Sequence, residues 1–167
     1  MAATIEIDEA NGAGETLTHG ISNSNWGSND SVNLVAATYP IIPGQNSYEK
    51  WQKFHVTAMG GSTKINNLRV WRTTALGGSA VHKTNARTSS YGGAEVFATP
   101  TNSTSSVATQ TMPTSEPASA NLGIGGSLTG SLTATGSSDY LVHQIQTNAA
   151  DTVGATTTMH YEYDEIA

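Results

Sequence analysis

Residues 48–74 read Tyr48-Glu-Lys-Trp-Gln-Lys-Phe-His-Val-Thr-Ala-Met-Gly-Gly-Ser-Thr-Lys-Ile-Asn-Asn-Leu-Arg-Val-Trp-Arg-Thr-Thr74. Tyr48, Phe54, Val56 and Ala58 share one parity and Lys53, His55 and Thr57 the other, the period of a strand with one buried face. Gly60-Gly61-Ser62 is a turn signal. Beyond it Leu68 and Val70 face one way, Arg69 and Trp71 the other. The stretch predicts a β-hairpin over 48–74, with Trp51 and Trp71 packed near each other across it.

The same period extends outward. From 122 to 134 the even positions are Leu122, Ile124, Gly126, Leu128, Gly130, Leu132 and Ala134, and the odd positions from Ser127 to Thr135 are all Ser or Thr. This predicts a strand bent or bulged at Gly125-Gly126, because a helix would mix the two sets. Further strands are expected at Thr4–Asp8, with Ile5 and Ile7 on one face, and at Ser31–Val35, Ala94–Thr99, Asp139–Thr147 and Thr156–Glu165. Pro40 and Pro43 exclude a regular central strand at Ile41-Ile42. Residues 77–93 are Gly/Ser/Thr-rich with one apolar spot at Val81. Residues 99–120 read as a long Ser/Thr/Pro-rich loop with one edge strand, anchored by Val107 and Met112. No ten-residue helical stripe occurs. The expected fold is all-β, a two-sheet β-sandwich of jelly-roll type with about eight strands. One domain is expected over 1–167, with an N-terminal segment, 1–30, able to extend from it.

Composition agrees. Thr 24, Ser 18 and Asn 12 outnumber Leu 8, Ile 9, Val 9 and Phe 2 in 167 residues. With a net charge of only -6 and 12% charged residues, this suits short strands and tight turns and not a charged disordered chain. So thin an aliphatic supply suggests reliance on an oligomer or partner surface. No cysteine is present, which excludes disulfides, thiolate nucleophiles and Cys-ligated zinc. A pI near 5.2 argues against nucleic-acid binding. No apolar run reaches membrane-spanning length, and Met1–Glu15 has neither a basic nor an apolar stretch, so neither membrane span nor signal peptide is expected.

All seven basic residues lie between Lys50 and Arg87, a window without Asp or Glu, while five acids lie at or before Asp30 and five at or after Asp139. Either the acidic termini lie against the basic middle within one folded unit, or the two zones face different partners.

Signals for chemistry are weak. No Gly-x-Ser-x-Gly elbow accompanies the serines. His19, His55, His82, His143 and His160 are scattered singly, without His-x-x-x-His or His-Glu-x-x-His spacing, so a metal site would have to assemble in three dimensions. The carboxylates cluster at the termini and do not suggest a glycosidase pair. Asp8-Glu9 and Asp164-Glu165 lack the spacing of a calcium loop. Trp26, Trp51 and Trp71 could stack on sugar rings, but serving the small core is the simpler role. No catalytic, cofactor-binding or metal-ligating residue is assigned, and the expectation is a non-enzyme without cofactor.

Three stretches carry a family resemblance: Gly27–Val35 leading to Tyr39-Pro40; Asn46–Trp51 with Lys64–Trp71; and His82–Gly93. Leu122–Gly126 and Asp139–Val142 extend it over most of the length. In these phrases the chain resembles small β-rich structural proteins of tailed bacteriophages. The resemblance implies a virion role without marking a site. The resulting expectation is a capsid decoration (cement) protein on the outer capsid surface. It would be a homo-oligomer such as a trimer, binding adjacent major capsid protein subunits by many modest contacts, with no nucleic acid and no membrane. Ile5, Ile7, Asp8, Glu9 and Trp26, within the acidic N-terminal strand and its following loop, are the expected partner-binding residues. A tail or baseplate component and a carbohydrate-binding module for host attachment are the alternatives.

Overall fold

The computed structural model describes residues 1–87, 94, 96–103, 108–151 and 154–167. Among them are ten strands and no helix: β1 (Thr4–Asn11), β2 (Thr16–Thr18), β3 (Lys50–Ala58), β4 (Lys64–Arg72), β5 (Val81–Thr84), β6 (Gln110–Thr111), β7 (Ser131–Leu132), β8 (Gly136–Ser137), β9 (Leu141–Gln146) and β10 (Met159–Ile166). They form two open antiparallel sheets, as in a β-sandwich. The larger runs β2-β1-β3-β9-β5-β6, with β8 also pairing β3, and the smaller runs β10-β4-β7.

Both strands of the 48–74 stretch exist, but they do not pair as a hairpin. β3 pairs β1, β8 and β9 in the large sheet, and β4 pairs β10 and β7 in the small one. The turn at Gly60-Gly61 is therefore an arch between sheets. A hairpin would lay Phe54, Val56, Leu68 and Val70 on one face of one sheet, with no opposite wall. The arch makes them face each other, and all four belong to the main core with Ile65, Leu122 and Leu141. Asn67, at φ 53, sits in a β-bulge: Arg69 pairs Glu162 while Asn66 pairs Asp164, so β4 carries one extra residue. The bulge flips the parity and lets Ile65 face the core with Leu68 and Val70.

The predicted strand over 122–134 is instead a run of tight turns. Ile124 and Ser127 exchange backbone hydrogen bonds (2.9 and 3.2 Å) around Gly125 (φ 58) and Gly126 (φ 78), a two-residue reversal that needs positive φ at both central positions. Only Ser131–Leu132 and Gly136–Ser137 are strands nearby. Ser31–Val35 is also not a strand. Asn33 takes φ 53, and the Thr38 and Tyr39 N–H groups close a turn on the Val35 carbonyl. Ala94 makes a single bridge to Tyr140, and no regular strand follows it among the described residues. Conversely, β5 forms in the stretch read as turn-rich, around Val81. Of the two anchors placed in 99–120, Met112 is buried in the core and Val107 lies outside the described residues.

Short strands cohere here because buried amides act as extra ladder partners. Asn121 accepts from Val70 N–H and donates to Val70 C=O, each at 2.8 Å. Asn85 accepts from Val142 N–H (2.9 Å) and donates to Tyr140 C=O (3.1 Å). A second core of Ala10, Trp51, Ala108, Tyr140 and Val142 covers the other face of the large sheet. Within residues 1–30, β1 pairs β3 from Thr4 to Ala10, and Ile21 N–H bonds Ile7 C=O.

The acidic ends lie against the basic middle. β10 runs beside β4, where Arg69 contacts Glu116 (3.0 Å), Glu162 (3.2 Å) and Asp164 (3.2 Å), and Glu9 contacts Lys50 at 2.8 Å.

Candidate functional site

Alternation along β1 sends its acids to opposite faces. Glu6 and Asp8 point away from the main core, while Ile5 and Ile7 pack against it. The register sets Glu6 opposite His55, and the return through β2 brings His19 to Asp8. His19 Nδ1 lies 2.9 Å from Asp8 Oδ2 and 3.6 Å from Glu6 Oε1. His55 Nδ1 lies 2.9 Å from Asp8 Oδ2 and 3.0 Å from Glu6 Oε1. One donor atom from each of the four residues falls within 4.8 Å of every other, a grouping suited to a metal ion. Asp8 is 1% exposed, and its Oδ1 accepts from Gly20 N–H at 3.2 Å. Gly20 takes φ +62, and a Cβ there would press to 3.2 Å from Glu6 Oε2. Nearby, Lys53 Nζ sits 4.0 Å over the Tyr140 ring, and the Tyr140 hydroxyl donates to Glu15 Oε1. Burial, with the Glu15 carboxylate beside it, raises that hydroxyl's pKa.

The opposite face of the same strands holds a buried polar layer. Glu9 accepts from Lys50 Nζ (2.8 Å), Gln52 Nε2 (3.0 Å) and Ser24 Oγ (3.0 Å). With its amide nitrogen on Glu9, Gln52 offers Oε1 to two donors, Tyr161 O–H (2.9 Å) and His143 Nε2–H (3.0 Å). His143 Nδ1 must then accept from His82 Nε2–H (3.0 Å), which leaves His82 Nδ1 a bare acceptor without a partner among the described residues. Both rings are neutral. Burial, assisted by Arg72, pushes His82 down to about 3, and burial, assisted by His82 and Lys50, holds His143 well below its ordinary value. Burial and Glu9 raise the Tyr161 hydroxyl. Trp26 packs edge-on against both imidazoles, at 5.1 and 5.0 Å between centroids. Beside this layer lies a cavity of about 640 Å³, lined among others by Ile7, Trp26, Ile41, Gln52 and Tyr161.

The five residues expected to bind a partner are thus distributed through the interior. Ile5 and Ile7 pack on the core, Asp8 and Glu9 are each 1% exposed, and Trp26 seals the histidine pair. Asp8 and Glu9 are carboxylates almost wholly removed from solvent. The physical reason is pairing: Glu9 has Lys50 and Asp8 has the two histidines, so both carboxylates can leave water. The tryptophans form no shared platform. Trp51 is buried against Phe97 and Tyr140, and Trp71 stacks on His160. Asp164 is held by Asn67 and Arg69, and Glu165 by Ser62 and the Ala3 N–H. The Glu6-x-Asp8 alternation, with a histidine after the next turn, was the one local signal of the four-residue cluster. His55 joins only through strand register.

A different segment faces solvent with apolar side chains. Val35 is 60%, Tyr39 40% and Ile42 50% exposed. Their loop is nevertheless pinned by the buried Leu34, by Asn25 Nδ2–H on Leu34 C=O (2.9 Å), and by Ser28 N–H on Tyr39 C=O (3.0 Å).

Compared with protein-family models, with curated proteins and with solved structures, the chain matches none.

Proposed function

We propose that the protein is a non-enzymatic structural component of a bacteriophage virion, a capsid decoration (cement) protein. In this reading it sits as a homo-oligomer on the outer capsid surface and bridges adjacent major capsid subunits. The observation that carries the reading is the pinned loop presenting Val35, Tyr39 and Ile42 to solvent. Large apolar side chains held outward by a fixed backbone lose little entropy on docking, which is what a binding surface needs. Val35 and Tyr39 also fall in one of the three stretches in which the chain resembles the phage proteins. Each copy offers a modest contact, and an oligomer engaging several subunits multiplies it through effective concentration. The groups best placed for acid–base work support a structural role: Glu9 is saturated by Lys50, Gln52 and Ser24, and the two inner histidines are neutral and bonded in series.

Localisation on the intact particle tests the reading. Labelled antibody or cryo-electron microscopy should find the protein on the head, in a copy number comparable to that of the major capsid subunit. Heads lacking it should rupture at lower temperature. A few copies at one vertex or along the tail would replace decoration by a tail role, and absence from the particle would refute the virion reading.

A further inference from the structure

Four side chains, from β1, β3 and the residue that follows β2, converge on one point of the outer face of the large sheet. If they ligated one ion at about 2.0–2.1 Å with tetrahedral angles, their donor atoms would stand about 3.3–3.4 Å apart. The four N···O edges are 2.9, 2.9, 3.0 and 3.6 Å, which bracket that value. A simple hydrogen-bond cluster accounts for only part of this geometry. His55 Nδ1 is buried and has two carboxylate oxygens within 3.0 Å, yet it makes a well-formed hydrogen bond to neither. Ligands of one ion stand in this relation: close to each other, but aimed at a shared centre. Asp8 provides the outer support such a site requires, since Gly20 N–H fixes Oδ1 and turns Oδ2 toward the histidines.

We propose that Glu6, Asp8, His19 and His55 bind a single first-row transition-metal ion, Zn²⁺ by preference. Two imidazole nitrogens select against Ca²⁺ and Mg²⁺, which take oxygen ligands, and two carboxylates neutralise the divalent charge in a half-buried setting. With all four positions filled by protein the site is structural. It fastens β1 and the edge strand β2 to β3, which compensates a chain poor in aliphatic residues. The ion binds the folded state, so it raises apparent stability by mass action.

The test uses the full-length protein stripped with chelator and titrated with ZnCl₂ and CoCl₂ at neutral pH. Calorimetry should give one equivalent per chain, thermal melts should shift upward, and Co²⁺ should develop the intense visible bands of tetrahedral coordination. His19→Gln changes an exposed ligand without disturbing the core, and His55→Gln changes a half-buried one. Each should weaken Zn²⁺ affinity by at least about a hundredfold, while His160→Gln, on the other sheet beside Trp71, should not. Substoichiometric or absent binding would overturn the proposal. So would Zn²⁺ affinity unchanged in both ligand variants, or an equal response to Ca²⁺.

Discussion

Lowering the pH from 7 to 5 is expected to remove about 2 kcal/mol of folding stability through His82, with His143 acting in the same direction. Both rings are fully buried; both nitrogens of His143 are engaged, and a second proton on His82 Nδ1 would find no acceptor among the described residues. His82 titrates at about 3 and His143 well below the ordinary range, whereas in the unfolded chain each takes up a proton near pH 6.5. The unfolded state therefore binds more protons between roughly pH 3 and 6.5. Stability is complete above that window and is lost as pH falls through it. At pH 5 the linkage through His82 alone amounts to about 2 kcal/mol, a large share of the ~5–15 kcal/mol that holds a typical domain together. The groups facing the pair reinforce the effect. Arg72 and Lys50 are cations, and Glu9, which reaches His143 through Gln52, is already held by Lys50 and Gln52. The carboxylates whose pKa is lowered, Asp151, Asp164 and Glu165, lose their contribution only below about pH 4, outside the range compared. Urea titrations followed by tryptophan fluorescence at pH 7, 6 and 5 provide the measurement, on the parent and on His82→Gln, whose amide can still donate to His143. Between pH 7 and 5 the parent should lose about 2 kcal/mol more than the variant. Equal free energies at pH 7 and 5, or identical pH slopes for the two proteins, would refute the reasoning.

Three further outcomes follow from the same structure. Lys50→Met leaves Glu9 ionised and buried without its cation, and should cost about 3–5 kcal/mol in chemical denaturation. Asn121→Ala orphans both the N–H and the C=O of Val70, and should cost about 2–4 kcal/mol by the same assay, with faster amide exchange in the small sheet. Val35→Ser with Ile42→Ser touches only exposed side chains. It should leave the free-energy of unfolding within about 0.5 kcal/mol of the parent, yet abolish binding to purified heads in a sedimentation assay.

Particular residues show how far the sequence could be read. The alternation in 50–58 and 64–72 placed both strands correctly, and Ile5 and Ile7 face the core as their parity requires. The pairing partners were not legible. A period of two is the same whether neighbouring strands share a sheet or face each other across a core, so the 48–74 stretch read as a hairpin and folds as an arch. Over 122–134 the Ser/Thr alternation misled because consecutive glycines at Gly125-Gly126 take positive φ and reverse the chain. At Ser31–Val35, a single left-handed asparagine overrode β-prone neighbours. The four-residue cluster escaped notice for the same reason as the arch. Its histidines stand far apart in sequence, and only the β1–β3 register aligns Glu6 with His55.

Composition and periodicity by themselves determined that this chain is all-β, built of short strands and tight turns, with little aliphatic core and no thiol chemistry. Those properties follow from side-chain type and local backbone preference, which act over a few residues. Tertiary structure alone decided which sheet each strand joins, which acids are buried, and where histidines and carboxylates meet. Each of those outcomes depends on backbone hydrogen bonds between segments tens of residues apart, and a one-residue bulge such as that at Asn67 changes which side chains face inward.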